Sequence, residues 1–325
     1  MYIEKLKSGS YRINQTENGH RYRITVDHKP TNAEAVKLLS EVIQKRPTRQ
    51  NMTFDNACVA FIESKANILS PSTKREYVSN RKKIPEDFAK KHITNITSLD
   101  VQKLINDWSV TLAPKTVRNY GNFVLAVLKS VDVSVKSPQM PQKQKKEIYI
   151  PTVEDIKAVE KELPDRYKIA YFLACLGLRR SEILALTLDD LNGTTLTINK
   201  AMVLDENKQW VIKTTKTTDS TRTIIIPQDK VNKILEQGFI YEGHPANLYD
   251  NIQQAQKRAG VPKFKLHSLR HFFASYMHDL GYSDKQIQEM GGWKTDTVMK
   301  TVYQHAMNMN DVKKDMAVQV SDLLD

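Results

Sequence analysis

The chain has 325 residues, a formal net charge of +12 at pH 7, 40% hydrophobic and 26% charged residues, which excludes a wholly disordered chain and leaves room for two or three domains with a sizeable core. No run approaches the roughly 18 apolar residues of a membrane span, and no early segment reads as a cleaved secretion signal, so a cytoplasmic protein is expected. The charge is uneven: residues 1–50 hold ten Lys/Arg against five Asp/Glu, residues 51–148 sixteen against nine, and residues 149–325 twenty-three against twenty-three. All the excess positive charge therefore lies in the first 148 residues, where it suits segments that grip a polyanion; a nucleic acid and an anionic lipid surface both satisfy that reading.

In chain order, Tyr11-Arg12-Ile13 and His20 to Val26 are β-rich runs on either side of Glu17-Asn18-Gly19, where Asn-Gly supplies the positive φ angles of a tight hairpin. Residues 2–6 are a candidate third strand. Thr31 with Glu34 forms a capping box for a helix through about Lys45, stopped by Pro47. This module is too small to be catalytic. Residues 53–132 hold four helical patterns with starts at Thr53, Ser70-Pro71, Ser98 and Ala113-Pro114. Lys74, Arg75, Arg81 and Lys82 on the second, and Lys115 and Arg118 on the fourth, are candidate phosphate contacts; an ordinary solvated face explains them nearly as well. Lys136 to Lys146 turns to Pro, Gln and Lys without apolar periodicity, which marks an extended basic linker.

Pro151, Thr152 and Asp155 open the last domain with another capping box. Helices dominate it, interrupted by expected strands at Thr194 to Lys200, Gln209 to Lys216 and Thr221 to Ile226. Cys58 and Cys175 both lie in apolar helical patterns and read as reduced core thiols, with no spacing that suggests a zinc site.

Four motifs of the last domain carry chemistry. Gly177-Leu178-Arg179-Arg180-Ser181-Glu182 lies between two apolar helices; Gly177 ends the first and Ser181 is positioned to cap the second, so Arg179 occupies a tight junction. Lys216 ends a strand and enters a hairpin turn. In His267-Ser268-Leu269-Arg270, at a helix start, residues three apart share a face, so imidazole and guanidinium project together while Leu269, Phe273, Tyr276 and Leu280 form the apolar side; His271 reads as a bystander. Ser283 and Gln286 cap a helix that ends at Gly291-Gly292, followed by Trp293 and then Tyr303-Gln304-His305. Each motif alone is ordinary.

In this order and spacing, the four motifs resemble those of the tyrosine recombinase (phage integrase) family: an Arg in a Gly-Leu-Arg-x-Ser-Glu-like stretch, a hairpin Lys, His-x-x-Arg, a His or Trp after a Gly, and Tyr-x-His near the carboxyl end. The resemblance covers the whole last domain. Position by position it implies a catalytic set of Arg179, Lys216, His267, Arg270, Trp293 and Tyr303, with Glu182 and His305 in support. Trp293 stands where many members have His, exchanging acid–base capacity for packing and an indole N–H. The implied fold is α+β and multidomain: a sheet-plus-helix arm-binding module (1–50), an all-α SAM-like core-binding domain (51–135), the linker (136–148), and a mainly α catalytic domain with a small β-sheet (149–325).

The implied activity is site-specific recombination through a covalent 3′-phosphotyrosine. Guanidinium forks of Arg179 and Arg270 bind the nonbridging oxygens where charge develops. Tyr303 attacks phosphorus, and its ester stores the bond energy, so rejoining needs no ATP, cofactor or metal. Lys216 is the family's usual donor to the leaving 5′-hydroxyl, with His267 assisting proton transfer. Implied partners are double-stranded DNA at attachment sites, three further copies in a synaptic tetramer formed from free monomers, and excision or host DNA-bending factors. The amphipathic tail from Asn310 to Asp325 docks either on a neighbouring copy or on its own domain. Two alternatives share these residues: a type IB topoisomerase, and an inactive DNA-binding regulator. The amino-terminal module argues against the first, and the intact catalytic set against the second.

Overall fold

The computed structural model describes residues 1–6, 8–17, 20–45, 52–143, 148–214 and 221–295. The chain divides by contact into two compact units, the first Met1–Leu69 with Thr73–Gln144 and the second Lys145–Asp325 with Ser70–Ser72.

The first unit opens with an antiparallel sheet in the order β1 (Tyr2–Lys5), β2 (Tyr11–Glu17), β3 (His20–Val26). The register pairs Tyr11 with Val26 and Glu17 with His20; the Asn18-Gly19 turn lies outside the described residues. Helix α1 (Asn32–Lys45) follows, with the Thr31 hydroxyl accepting from the Glu34 amide at 3.2 Å. Ile13 is buried on Ala35 and Leu39 of that helix, with Ile3, Tyr22 and Ile24 packed alongside.

Residues 52–143 are helical: α2 (Phe54–Glu63), α3 (Pro71–Arg81), the single turn α4 (Glu86–Ala89), α5 (Ser98–Thr111) and α6 (Pro114–Ser130). Thr53 and Ala113 occupy the expected caps, and Pro114 sits at the first helical position, where its missing N–H costs nothing. The start of α5 differs by one residue. Thr97, not Ser98, is its cap and reciprocates with Asp100, leaving the Ser98 hydroxyl to accept from the Lys136 amide at 2.8 Å. Phe54, Phe61, Leu104, Ile105, Phe123 and Leu128 form the core of these helices, each worth about 1.5–3 kcal/mol when fully buried. Residues 136–143 have no regular structure, as expected of a linker, yet they are fastened down. Gln139 exchanges two hydrogen bonds with Gln102, Arg118 donates to the Pro141 carbonyl at 3.1 Å, and Met140 fills the space left by the missing side chain of Gly121.

The second unit begins with α7 (Val153–Glu162), capped as expected by Thr152 and Asp155, then α8 (Asp165–Cys175) and the short α9 (Arg180–Ile183). Where three strands were expected, five form among the described residues. One sheet has the order β4 (Leu191–Asn192), β5 (Thr195–Ile198), β8 (Arg222–Ile225), and a separate ribbon pairs β6 (Lys200–Leu204) with β7 (Trp210–Thr214). The expected 194–200 strand thus breaks at Asn199, and Lys200 to Leu204 becomes the partner of β7. The expectation of a hairpin joining 209–216 to 221–226 is also corrected, because β8 pairs with β5 in the other sheet. Four more helices follow among the described residues: α10 (Gln228–Gln237), α11 (Pro245–Ala259), α12 (Leu266–Asp279) and α13 (Asp284–Gly291). Its core gathers Tyr171, Leu173, Ile183, Leu196, Ile198, Leu248 and Leu269. Cys58 is buried and Cys175 partly so, and desolvation raises both thiols well above their ordinary range, consistent with inert packing residues.

No helix among the described residues is long and apolar enough to cross a membrane.

Candidate active site

Gly177 follows α8 with φ +87°, and a Cβ there would stand 2.7 Å from the ring of Phe273 on α12, so both backbone and space require glycine. The turn it makes delivers Arg179 to the N-cap of α9. Ser181, the expected cap, is instead inside the helix. Glu182 does the capping in reverse: its Oε2 accepts from the Arg179 amide at 2.9 Å and its Oε1 from Arg179 Nη1 at 2.6 Å. The remaining Arg179 fork donates through Nη2 to the Gly292 carbonyl at 2.8 Å, while the side chain stays 40% exposed.

Arg270 on α12 is only 2% exposed. Its Nη1 donates to the carbonyls of Gly177 and Gly291, and its Nη2 reaches the Gly292 carbonyl at 3.4 Å. Both arginines therefore meet at one carbonyl. Nη1 of Arg270 is occupied by two carbonyls, and Arg179 has the more exposed guanidinium of the two. Burial, then the charge of Arg179, lowers the Arg270 guanidinium to about 9, still cationic at neutral pH. Trp293 lies flat beneath it, with the guanidinium carbon 3.6 Å from the ring centroid, and stacks at 10° on Phe273. The Trp position thus supports Arg270 by a cation–π contact. Gly291 makes this possible, since a Cβ there would fall 1.9 Å from the indole.

His267 stands on the solvent side of the α12 start, edge-to-face on His271 at 4.8 Å. Desolvation by its surroundings, then the charges of Arg270 and Arg179, lower its pKa, which favours the neutral imidazole. The apolar side expected for α12 is half right. Leu269 and Phe273 are buried, but Tyr276 and Leu280 are exposed, and Tyr276 stacks on Phe272 instead. Helix α13 starts at Ser283 with its Gln286 box and ends at Gly292 in a left-handed cap, as expected.

Sequence reasoning missed Arg222. It lies on β8 and is buried, donating through Nη2 to Glu182 Oε2 at 2.9 Å and through Nε to the Met290 carbonyl at 2.9 Å. The available signal was alternation: Arg222, Ile224 and Ile226 share a strand face, so a charge occupies an inward position. Glu182, 3% exposed, is pushed up by burial, but hydrogen bonds from Arg222 and the charges of both neighbours outweigh this and leave it below the ordinary carboxylate range. Lys216, Tyr303 and His305 lie outside the described residues.

Of the other candidate DNA contacts, Arg75, Lys82 and Lys115 are exposed and Lys74 half-buried. Arg81 is engaged internally, gripping Asp55 with two bonds of 2.6 Å, and Arg118 holds Pro141.

Arg179, Arg270 and Trp293 meet at the Gly291–Gly292 turn, with His267 on the same helix as Arg270, and the unit that holds them is mainly helical with a small sheet, the fold of the DNA strand-breaking and rejoining recombinases. Residues 150–309 match the model of the phage integrase family, and residues 53–109 that of the phage integrase N-terminal SAM-like domain. The chain belongs to the phage integrase family. A XerC-like tyrosine recombinase of Caldanaerobacter subterraneus subsp. tengcongensis is 24% identical over 268 residues, covering 66% of this chain and 68% of its own. The integrase of Salmonella phage P22 is 23% identical over 347 aligned positions, 86% of this chain and 84% of its own. Among solved structures, the Tn1549 transposon integrase in complex with transposon right end DNA matches the fold with a TM-score of 0.67 at 15% identity, over 82% of this chain and 99% of that one. A λ integrase tetramer bound to a Holliday junction matches with a TM-score of 0.59 at 14% identity, over 92% and 94%.

Proposed function

We propose that the chain is a site-specific DNA recombinase that integrates and excises a phage or other mobile element through a 3′-phosphotyrosine on Tyr303. The observation that carries this is the meeting of Arg179 and Arg270 at the Gly292 carbonyl beside His267, a cationic pocket matched to a phosphodiester's nonbridging oxygens. In the reaction, the Tyr303 oxygen bonds to phosphorus as the bond to the 5′-oxygen breaks. The lowered pKa of His267 supports a neutral imidazole that accepts the phenolic proton, and Lys216 protonates the leaving 5′-oxygen. Reversal by an incoming 5′-hydroxyl restores the diester without ATP.

In this reading residues 1–50 bind arm sites, 51–135 the core site, and 149–325 carry out catalysis. The protein acts in the cytoplasm on double-stranded attachment sites, as a tetramer assembled from monomers, with excision or host bending factors as accessories. The excess charge of residues 1–148 and the DNA-bound integrases of the same fold support the assignment of DNA as partner.

A core-site duplex nicked just beyond the scissile phosphate tests the reading, since the released 5′-hydroxyl fragment diffuses away and the adduct accumulates. The full chain is expected to form an adduct, and Tyr303→Phe to form none while still shifting the duplex in a gel. An adduct with Tyr303→Phe would transfer the nucleophile to another residue.

A further inference from the structure

Arg222 is the one charged side chain turned inward on β8, whose other positions alternate between buried Ile224 and exposed Thr223 and Ile225. Its side chain is 6% exposed. A guanidinium in such a place costs desolvation, and a pair of apolar residues would hold a strand to a helix as well or better. What the apolar pair could not do is hold two different acceptors at a set angle.

The contacts of Arg222 run to both halves of the phosphate pocket. Its Nη2 and Nη1 face Glu182 Oε2 at 2.9 Å and Oε1 at 3.4 Å. The same two oxygens hold the Arg179 amide and Arg179 Nη1. Its Nε holds the Met290 carbonyl at 2.9 Å, the residue before Gly291 and Gly292, whose carbonyls receive Arg270 and Arg179. Gly292, at φ +68°, lets the guanidinium close in: a Cβ there would be 2.7 Å from Arg222 Nη1. A planar fork with separate Nε and Nη donors satisfies this geometry, and a lysine ammonium cannot.

We propose that Arg222 is a positioning residue for strand cleavage, which aligns Arg179 through Glu182 and Arg270 through the Met290–Gly292 turn while touching no DNA itself. The proposal rests on the recombinase reading above. It assigns Glu182 a matching role: the carboxylate that transmits the alignment, with four N–H groups of two arginines shared between its oxygens.

The test compares cleavage of two nicked core-site duplexes by the full-length chain. One has the ordinary phosphodiester at the scissile position; in the other a methylphosphonate replaces one nonbridging oxygen with a neutral methyl, so less charge awaits the guanidiniums. The variants are Arg222→Lys, which keeps a cation beside Glu182, and Arg222→Met. Misaligned guanidiniums are expected to slow adduct formation on the phosphodiester about a hundredfold, with a smaller loss on the methylphosphonate and gel-shift binding retained. The ratio of the two rates is taken from one protein preparation, so it does not depend on the fraction folded. A ratio unchanged or raised relative to the unsubstituted chain, whether both rates fall together or neither falls, overturns the positioning role and leaves Arg222 a structural ion pair. No adduct from the unsubstituted chain on either duplex instead overturns the recombinase reading, and this proposal with it.

Discussion

His271 lies one helical turn after His267, its ring edge-to-face on the His267 imidazole and its Nδ1 buried with no hydrogen-bond partner among the described residues. Desolvation, then the charges of His267 and Arg270, lower its pKa from 6.5 to about 4. A base whose folded pKa is depressed binds fewer protons folded than unfolded between those values. Its contribution to stability is therefore present above pH 6.5 and is lost as pH falls toward 4, by about 1–3 kcal/mol. Denaturant titrations at pH 7.5, 6, 5 and 4.5 are expected to show this decline, and His271→Leu to flatten it. An equal decline in the variant would place the effect in His267 or in carboxylates such as Glu182, whose folded pKa also lies below its ordinary value and whose contribution disappears at lower pH.

The elements most legible in the sequence were those marked by local chemistry. Thr53, Thr152, Ser283 and Pro114 set helix starts because the signal, a hydroxyl or a ring that suits an orphan N–H, acts within one turn. Where long-range pairing decides, the sequence said less. Lys200 to Leu204 becomes a strand only because β7 is there to pair with it, and Tyr276 and Leu280 are exposed although helical periodicity puts them on the apolar side of α12. Motif order singled out Arg179, Arg270 and Trp293, which the fold brings together, whereas Arg222 was hidden because its partners are 40 and 68 residues away. The capping box of α5 gives an element-scale prediction. Asp100 accepts from Lys91, from the Thr97 amide at 2.8 Å and from its hydroxyl at 2.8 Å, and these hold its carboxyl down to about 2. Asp100→Ala is expected to destabilise the first unit by about 1–2 kcal/mol at pH 7, read by urea unfolding. Because the folded pKa lies below 3.8, the difference from the unsubstituted chain should shrink as pH falls from about 4 toward 2. A difference that persists unchanged at pH 2 would trace the loss to packing.

Across the whole molecule, charge and chemistry are divided between segments: residues 149–325 hold the arginine pocket yet are formally neutral, while residues 1–148 hold the excess of positive charge. Counterion release scales with the phosphates neutralised, at a log–log salt slope of about 0.9 per contact on duplex DNA, and the cations in excess of carboxylates lie in residues 1–148. Affinity should then come from exposed cations of the earlier segments, and within residues 52–143 these include Arg75, Lys115 and, just past the end of α3, Lys82, with Arg81 and Arg118 engaged internally. The triple substitution Arg75→Ala, Lys82→Ala, Lys115→Ala is expected to lower the magnitude of the slope by about 2.7 if all three contact phosphates, measured as Kd between about 50 and 200 mM salt. Adduct formation at saturating protein should change little, since the pocket around Gly292 is untouched. The double substitution Arg81→Ala, Arg118→Ala should do the reverse, leaving the slope nearly unchanged while lowering the unfolding midpoint through the lost Asp55 and Pro141 contacts. Equal slopes for the triple variant and the unsubstituted chain would move the DNA grip elsewhere in the basic segments, to residues 1–50 or to the lysines around 143–146.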